Sequence, residues 1–299
     1  MIVNLAAGGG RAGSRLPDVM QVLSAAGIDP TYMLTEGPGM AVDLAEAAAR
    51  DGYDIVIPFG GDGTAHEVAN GLLRVPDAPP LAPIQAGSGN AVADFLGFPR
   101  GSKAQAEFLL TARPQRIDVG WAEYQGFEGP ERRAFLLLGS AGWSAAMIRR
   151  SVRYKRFAGG AYAIAMIAEL RNLKAMPYHV TTDGVEERLP LIDFSIVNPP
   201  LGTGRMKMVP GADPTDGLLD SVKVMPPSWG GLLRTIGRLA TRRQRGLPGM
   251  LFDQVREVRV EPDDPVPVQL DGEFVGHTPV TFRVEPQGLN VLAGTIATG

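Results

Sequence analysis

The feature that most constrains this chain is a short apolar run, Ile55 to Ile57, leading into Gly60-Gly61-Asp62-Gly63, with a helix pattern starting at Thr64. A strand, a glycine turn and a helix in that order form the repeating unit of a parallel α/β sheet. Glycines around one aspartate let main-chain N–H groups converge on an anion without interference from Cβ atoms. The helix N-terminus adds partial positive charge. Asp62 adds a carboxylate able to hold a divalent cation beside bound phosphates. A purely local reading of the same residues is also open. Thr64-x-x-Glu67 has the form of a capping box, and glycine-rich turns start helices in proteins that bind nothing there.

The rest of the first half repeats the unit. Met1 to Leu5 reads as a strand, and a helix is expected from about Arg15 to Ala26 with Leu16, Val19, Met20 and Leu23 on one face. Tyr32 to Thr35 and Leu81 to Gln85 are further strands, and Ala41 to Asp51 and the residues after Gly87-Ser88-Gly89-Asn90 are further helices. Ligands in such a sheet sit at the strand C-terminal ends. Gly8-x-Gly10-x-x-Gly13 also fits the dinucleotide fingerprint, with Glu36 about 20 residues on, which keeps a Rossmann oxidoreductase in play. The P-loop pattern fails, because Arg15 stands where Ser or Thr is required and no Lys precedes it.

After Arg116 the texture turns β-rich. Trp121–Gln125, Ala134–Leu138, Tyr178–Thr182, Val185–Leu189, Leu191–Val197, Leu218–Met225, Val255–Val260, Val266–Leu270, Val280–Val284 and Leu289–Leu292 all read as strands. Asp183-Gly184 is a hairpin signal. Helices are expected over about Ser144–Lys174 and Ser228–Arg243. The expected fold is therefore an α/β N-terminal domain with a Rossmann-like parallel sheet, residues 1–118, then an all-β antiparallel sandwich, residues 119–289. The tail, about 290–299, is expected to pack back on the first domain.

Composition removes some classes. A net charge of −3 gives no reason to expect nucleic-acid binding, and the chain has no cysteine for disulfide or thiol chemistry, which suits a reducing cytosol. MIVNLAAGGG lacks the basic region of a secretory signal. Even Phe157 to Ala168 falls short of the ~20 apolar residues that span a bilayer, so membrane contact is expected to be peripheral.

Three segments of the second half carry possible chemistry. VQLDGEFVG contains Asp271-Gly272-Glu273 and reads locally as an Asp-Gly hairpin. ADPTDGLLD places Asp213, Asp216 and Asp220 near one another before a strand, at a spacing unlike an EF-hand loop. Arg149, Arg150, Arg153, Lys155 and Arg156 cluster, and Arg234, Arg238 and Arg242 form a helical stripe. These basic groups suit either a solvated face or an anionic lipid surface.

GGDGT followed by HEVANGL resembles the nucleotide-binding loop of the diacylglycerol kinase and sphingosine kinase family of lipid kinases, to which NAD kinases are related. AGSGNAVA, from Ala86, is similar to the GSGNALA of sphingosine kinases, with Ser88 in place of the threonine of bacterial relatives and Ala91 in place of their aspartate. The resemblance implies nucleotide contacts at Asn4, Thr35, Gly60, Gly61, Asp62, Gly63, Thr64, Ser88 and Asn90, although Leu5 replaces a proline of the first loop. It implies a catalytic Asp271 as general base with Glu273 in support, and Asp62 near the catalytic Mg2+. Which of Asp62 and Asp271 takes the proton stays open. A structural Mg2+ is implied on Asp213, Asp216 and the carbonyl of Leu218, with Thr215 in place of one aspartate of the family's DDG.

The function implied is an ATP- and Mg2+-dependent lipid kinase, cytoplasmic and peripheral at a membrane, with a homodimer left open. Sphingosine kinases meet the substrate amine with a carboxylate after a Gly-Trp-Gly-like segment. Gly142-Trp143-Ser144-Ala145-Ala146-Met147-Ile148 has none, which favours diacylglycerol or another neutral lipid alcohol. A sphingoid-base kinase, an NAD kinase-like enzyme and an inactive nucleotide- or lipid-binding protein are the alternatives.

Overall fold

The computed structural model describes residues 1–87, 89–151, 165, 168–169, 173–203, 206–207, 209, 211–226 and 249–298. The chain forms two compact units, Met1–Val119 with Pro286–Ala297, and Gly120–Glu285.

The first unit alternates as expected: β1 (Ile2–Val3), α1 (Arg11–Ala25), β2 (Met33–Leu34), α2 (Met40–Arg50), β3 (Pro58–Gly60), α3 (Asp62–Leu72), β4 (Ile84–Gln85), α4 (Ala91–Phe95) and α5 (Ser102–Leu109). The strands make a parallel sheet in the order β2-β1-β3-β4. Ile2, Val3, Phe59 and Ile84 are fully buried in it, as strands covered on both faces require. α1 starts earlier than expected, at Arg11, so Gly13 lies inside the helix rather than in a loop. Val19 and Leu23 supply its buried face. The C-terminal segment returns to this unit. Leu81 N–H donates to the Asn290 carbonyl (2.9 Å), and Leu292 N–H to that of Leu81 (2.9 Å).

α2 and α3 pack through small residues. Ala41, Ala45 and Ala48 line one helix, and Ala65, Ala69 and Gly71 the other. A Cβ on Gly71 would lie 2.8 Å from Ala45 Cβ and run into the Val42 carbonyl oxygen. The expected capping box does not form. α3 begins at Asp62, ahead of Thr64, and Glu67 instead accepts the N–H of Ala41 (3.1 Å) at the start of α2. An orphan donor of a neighbouring helix competed better for that carboxylate than the helix's own end.

The second unit contains β5 (Arg113–Gln125), which begins in the first unit, then β6 (Pro130–Phe135), β7 (Leu138–Gly142), α6 (Trp143–Ser151), β8 (Met176–Thr182), β9 (Val185–Leu191) and β10 (Asp193–Val197). β11 (Gly202–Thr203), β12 (Met206–Lys207), β13 (Leu219–Val224), β14 (Met250–Val255), β15 (Glu257–Pro262), β16 (Pro267–Leu270) and β17 (Glu273–Ala293) follow. Eleven strands are hydrogen-bonded into one antiparallel sheet, β14-β13-β10-β7-β16-β17-β15-β8-β9 with β5 and β6 joined through β17. That many twisted strands curl until inner faces meet, which is how one sheet closes over a shared core. Phe282 meets Phe135 edge-on at 5.9 Å there and stacks on Phe194 at 6.3 Å. Asp183-Gly184 makes the expected two-residue hairpin, both residues at positive φ. β14 escaped the pattern because it is an edge strand, exposed from Leu251 to Gln254. Residues 227–248, with the expected helix Ser228–Arg243 and its arginines, lie outside the described residues, as do Arg153, Lys155 and Arg156.

A polar chain crosses this core. Asp193, 5% exposed, accepts Ser144 N–H (2.8 Å), Ser144 Oγ–H (2.8 Å) and Ser195 Oγ–H (2.8 Å). Ser144 Oγ lies 2.7 Å from Ser140 Oγ, which also accepts Gln269 Nε2–H (2.9 Å). Burial pushes the Asp193 carboxyl up to about 6 despite these donors.

Two outcomes follow from this packing. Gly71→Ala should lower the melting temperature by an amount equivalent to about 1–3 kcal/mol, because the helices must separate to admit a methyl. An unchanged melting curve would show slack between them. An acid with a raised folded pKa favours the native state while protonated, and that contribution is lost as pH rises through about 6. Asp193→Asn keeps an acceptor for Ser144 but does not ionise. Its stability relative to the parent should improve from about pH 4.5 to about pH 7.5 by on the order of 2 kcal/mol. A constant offset over that range would show that Asp193 does not titrate there.

Candidate active site

Parallel strands end on one side, so β1, β2, β3 and β4 deliver the segments 4–10, 35–39, 61–62 and 86–87 to the same edge of the sheet. Gly60 ties two of them. Its carbonyl accepts the N–H of Ala86 (2.6 Å) and of Gly87 (3.0 Å). A Cβ on Gly87 would sit 2.7 Å from Gly61 Cα, so only glycine lets these main chains pass so closely. Asn4, at the end of β1, donates from Nδ2 to Thr64 Oγ1 (3.2 Å) and accepts Ala6 N–H at Oδ1 (3.1 Å). The structure thus brings Asn4, Gly60, Gly61, Asp62, Gly63, Thr64 and Asn90 to one place. Thr35 stands at the end of β2, its hydroxyl 3.4 Å from the Val3 carbonyl. Ser88 lies outside the described residues.

The donors left at this edge fit a phosphate. α3 has no side-chain cap, and the N–H groups of a first helical turn have no intrahelical acceptor. They and the helix dipole favour an anion. Asn90 Oδ1 is buried beside Gly87 and finds no hydrogen-bond partner among the described residues. Asp62 is the first residue of α3. Its Oδ1 accepts Gln85 Nε2–H (3.0 Å) and Val92 N–H (3.0 Å), and Oδ2 lies against Gly89.

In the second unit Asp271 and Gly272, at φ 48° and 85°, are the central pair of the expected hairpin turn between β16 and β17. The Asp271 carboxylate accepts three main-chain N–H groups, from Leu136 to Oδ2 (2.8 Å) and from Leu137 and Leu138 to Oδ1 (2.8 and 2.9 Å). Asp271 N–H donates to the Leu138 carbonyl (2.8 Å). The strand expected over Ala134–Leu138 breaks at Leu136 and Leu137 for this reason: their donors serve a side chain, not a neighbouring strand. Gln269 Oε1 accepts Gly272 N–H (2.8 Å), which joins the turn to the polar chain ending at Asp193. Glu273 pairs with Arg133 (2.8 Å).

Asp213 and Asp216 lie in the turn before β13. Asp213 Oδ1 accepts the N–H and the hydroxyl of Thr215 (3.0 and 2.6 Å), and Asp216 Oδ1 accepts Leu218 N–H (2.9 Å). Burial, then the charges of Asp216 and Asp213, push Asp220 up to about 6. Among the described residues no group of three or more His, Cys, Asp or Glu side chains is arranged to hold a metal. The hard oxygens of Asp213, Asp216 and a main-chain carbonyl still suit a Mg2+ that keeps most of its waters.

The polar groups missed from sequence are Gln85, Gln105, Gln269 and Asp193. Gln85, Gln269 and Asp193 stand in apolar runs, where a polar side chain in a buried strand must find partners, and Gln105 lies in the mixed sequence of α5.

The chain matches two family profiles, the diacylglycerol kinase catalytic domain over residues 1–122 and the YegS C-terminal NAD kinase beta sandwich-like domain over residues 139–293. It is 25% identical over 284 residues to the diacylglycerol kinases of Staphylococcus aureus strains JH9 and Newman, covering 93% of this chain and 86% of theirs. A crystal structure from Bacillus anthracis str. Sterne superposes with a TM-score of 0.82 at 23% identity over 98% of this chain and 94% of that one. A second, titled a diacylglycerol kinase from the same organism, gives 0.72 at 21% identity over 98% and 96%. At those identities the structures speak for the fold. The profiles decide the rest: the chain belongs to the diacylglycerol kinase family of lipid kinases, with a diacylglycerol kinase catalytic domain followed by a YegS-type NAD kinase-like β-domain.

Proposed function

We propose that the chain transfers the γ-phosphoryl group of ATP to a hydroxyl of a neutral lipid, diacylglycerol being the representative acceptor. One observation supports this most. The uncapped N-terminus of α3 carries Asp62 at its first residue, inside the segment matched by the catalytic domain. Main-chain donors from Gly60 to Thr64 would bind phosphate oxygens, with Asn4, Thr35, Ser88 and Asn90 around them. ATP supplies the phosphoryl group, and Mg2+ offsets the charge on its oxygens. Asp62 would help hold that cation. Asp271 would accept the hydroxyl proton, held in place by its three N–H donors, with Glu273 and Arg133 beside it. Asp213, Asp216 and the Leu218 carbonyl would hold a second, structural Mg2+.

The neutral acceptor is favoured by the surroundings of α6. Asp193 touches its second residue, but that carboxylate is buried and spent on Ser144 and Ser195. No acid lies within Trp143–Ser151 to pair with a protonated amine. No helix among the described residues is long and apolar enough to cross a membrane. On this reading the enzyme works in the cytoplasm, peripherally at a lipid surface, and a homodimer is the assembly to look for.

Labelled ATP with Mg2+ and mixed micelles of diacylglycerol, sphingosine or ceramide, with NAD in parallel, tests the reading. Diacylglycerol should be labelled, and Asp271→Asn should lower its kcat by about 10²–10⁴-fold. Labelling of sphingosine or NAD alone, or a fully active Asp271→Asn variant, would contradict it.

A further inference from the structure

Gln85 ends β4 at 1% exposure, in a position where an apolar residue would pack without cost. Burying a primary amide is costly unless each of its groups is bonded. Here each is. Nε2–H donates to Asp62 Oδ1 (3.0 Å), and Oε1 accepts Ala93 N–H (3.1 Å) in the first turn of α4. Only this amide orientation satisfies both partners, because a carboxylate cannot donate and an N–H cannot accept. The main chain of Gln85 is held as firmly. Its N–H donates to Gln105 Oε1 (2.7 Å), and its carbonyl accepts Ser102 Oγ–H (3.2 Å), both from α5 and both buried.

Val92 N–H completes a ring by donating to the same Asp62 Oδ1 (3.0 Å). Oδ1 is therefore committed inward to β4 and α4. Oδ2 is turned to Gly89, where a Cβ would come within 2.6 Å of it. A carboxylate at a helix start has free rotation about χ2 unless something fixes one oxygen. Two neutral donors do so here. They leave the charge of Asp62 without a cationic partner among the described residues, and they aim its second oxygen at the glycine loop.

We propose that Gln85, braced by Gln105, is a positioning residue that presents Asp62 Oδ2 to the Mg2+-bound phosphates of the nucleotide. The inference rests on the nucleotide reading of the 60–64 and 86–90 segments. It adds that the aspartate works only when this amide holds it. A residue acting this way affects nucleotide binding through Asp62 alone, so its effect must vanish when Asp62 is already disabled.

The test is a double-mutant cycle read by titration calorimetry with ATP, with and without Mg2+. The proteins are the parent chain, Gln85→Met, Gln85→Glu, Asp62→Asn, and Gln85→Met combined with Asp62→Asn. Gln85→Met should weaken Mg·ATP binding roughly 10–100-fold, and should leave the KM for lipid unchanged. Gln85→Glu keeps the acceptor for Ala93 but loses the donor, and should weaken binding at neutral pH as well. In the Asp62→Asn background Gln85→Met should add nothing. Melting curves identify any variant that fails to fold, and the conservative Gln85→Glu then carries the cycle. Parent-like binding by Gln85→Met and Gln85→Glu, or a full additive loss in the double variant, would overturn the positioning role while leaving the nucleotide site intact. Parent-like binding by Asp62→Asn, or no ATP binding by the parent, would overturn both.

Discussion

Three main-chain N–H groups on the Asp271 carboxylate decide how the second unit is put together. The chain leaves β6 and enters β7 through Leu136 and Leu137, whose donors have no place in either ladder. A buried donor without a partner costs more than a formed hydrogen bond returns, so the corner is stable only if something accepts from it. Asp271 accepts from Leu136, Leu137 and Leu138 at once, and charged acceptors make the stronger bonds. The corner between β6 and β7 and the hairpin between β16 and β17 are thereby one object. A carboxylate held in this way cannot drift without opening the sheet.

The same device recurs at other irregular edges among the described residues. Glu67 serves the start of α2, Asp62 the start of α4, and Asp183 the N–H groups of Arg256 and Glu257. Asp118, fully buried, accepts from Gln287. In each case a side chain from one element satisfies backbone from another, far away in sequence. These clasps set positions to a fraction of an ångström, whereas apolar packing alone tolerates slippage and repacking. Fold and site share a cause: the carboxylates that close the backbone include two of those expected to do chemistry.

That sharing also explains what could be read from sequence. The alternation of apolar runs with glycine turns placed the four strands of the parallel sheet to within a few residues, because strand ends there are set locally, as at Gly60-Gly61. Asp183-Gly184 and Asp271-Gly272 were legible as hairpins for the same reason. The clasps were not. Nothing near Thr64 and Glu67 signals that Ala41 will claim the glutamate. Nothing in AFLLLG shows that Leu136 and Leu137 will be drawn out of a strand by a residue more than a hundred positions on. The long helix expected from Ser144 is described only as α6, Trp143–Ser151, and as isolated helical residues to Glu169. Of the site, the glycines and aspartates announced themselves by type. Gln85 and Gln269 were hidden in apolar runs, and only their partners reveal what they hold.

Two departures from the family pattern become intelligible in the same terms. Leu5 stands where the resemblance leads one to expect proline, a residue that fixes φ in a loop. Asn4 does comparable work from its side chain. Oδ1 accepts Ala6 N–H in an Asx turn, and Nδ2 reaches Thr64 in α3, so the first loop is tethered at both ends of one amide. Thr215 replaces an aspartate in the turn before β13, removing a negative charge from a place where Asp213, Asp216 and Asp220 already repel one another. Its hydroxyl and N–H both bind Asp213 Oδ1, so the substitution holds one carboxylate oxygen with neutral donors. Neutral donors from Thr215 thereby fix the Asp213 carboxylate without adding a further negative charge to the cluster.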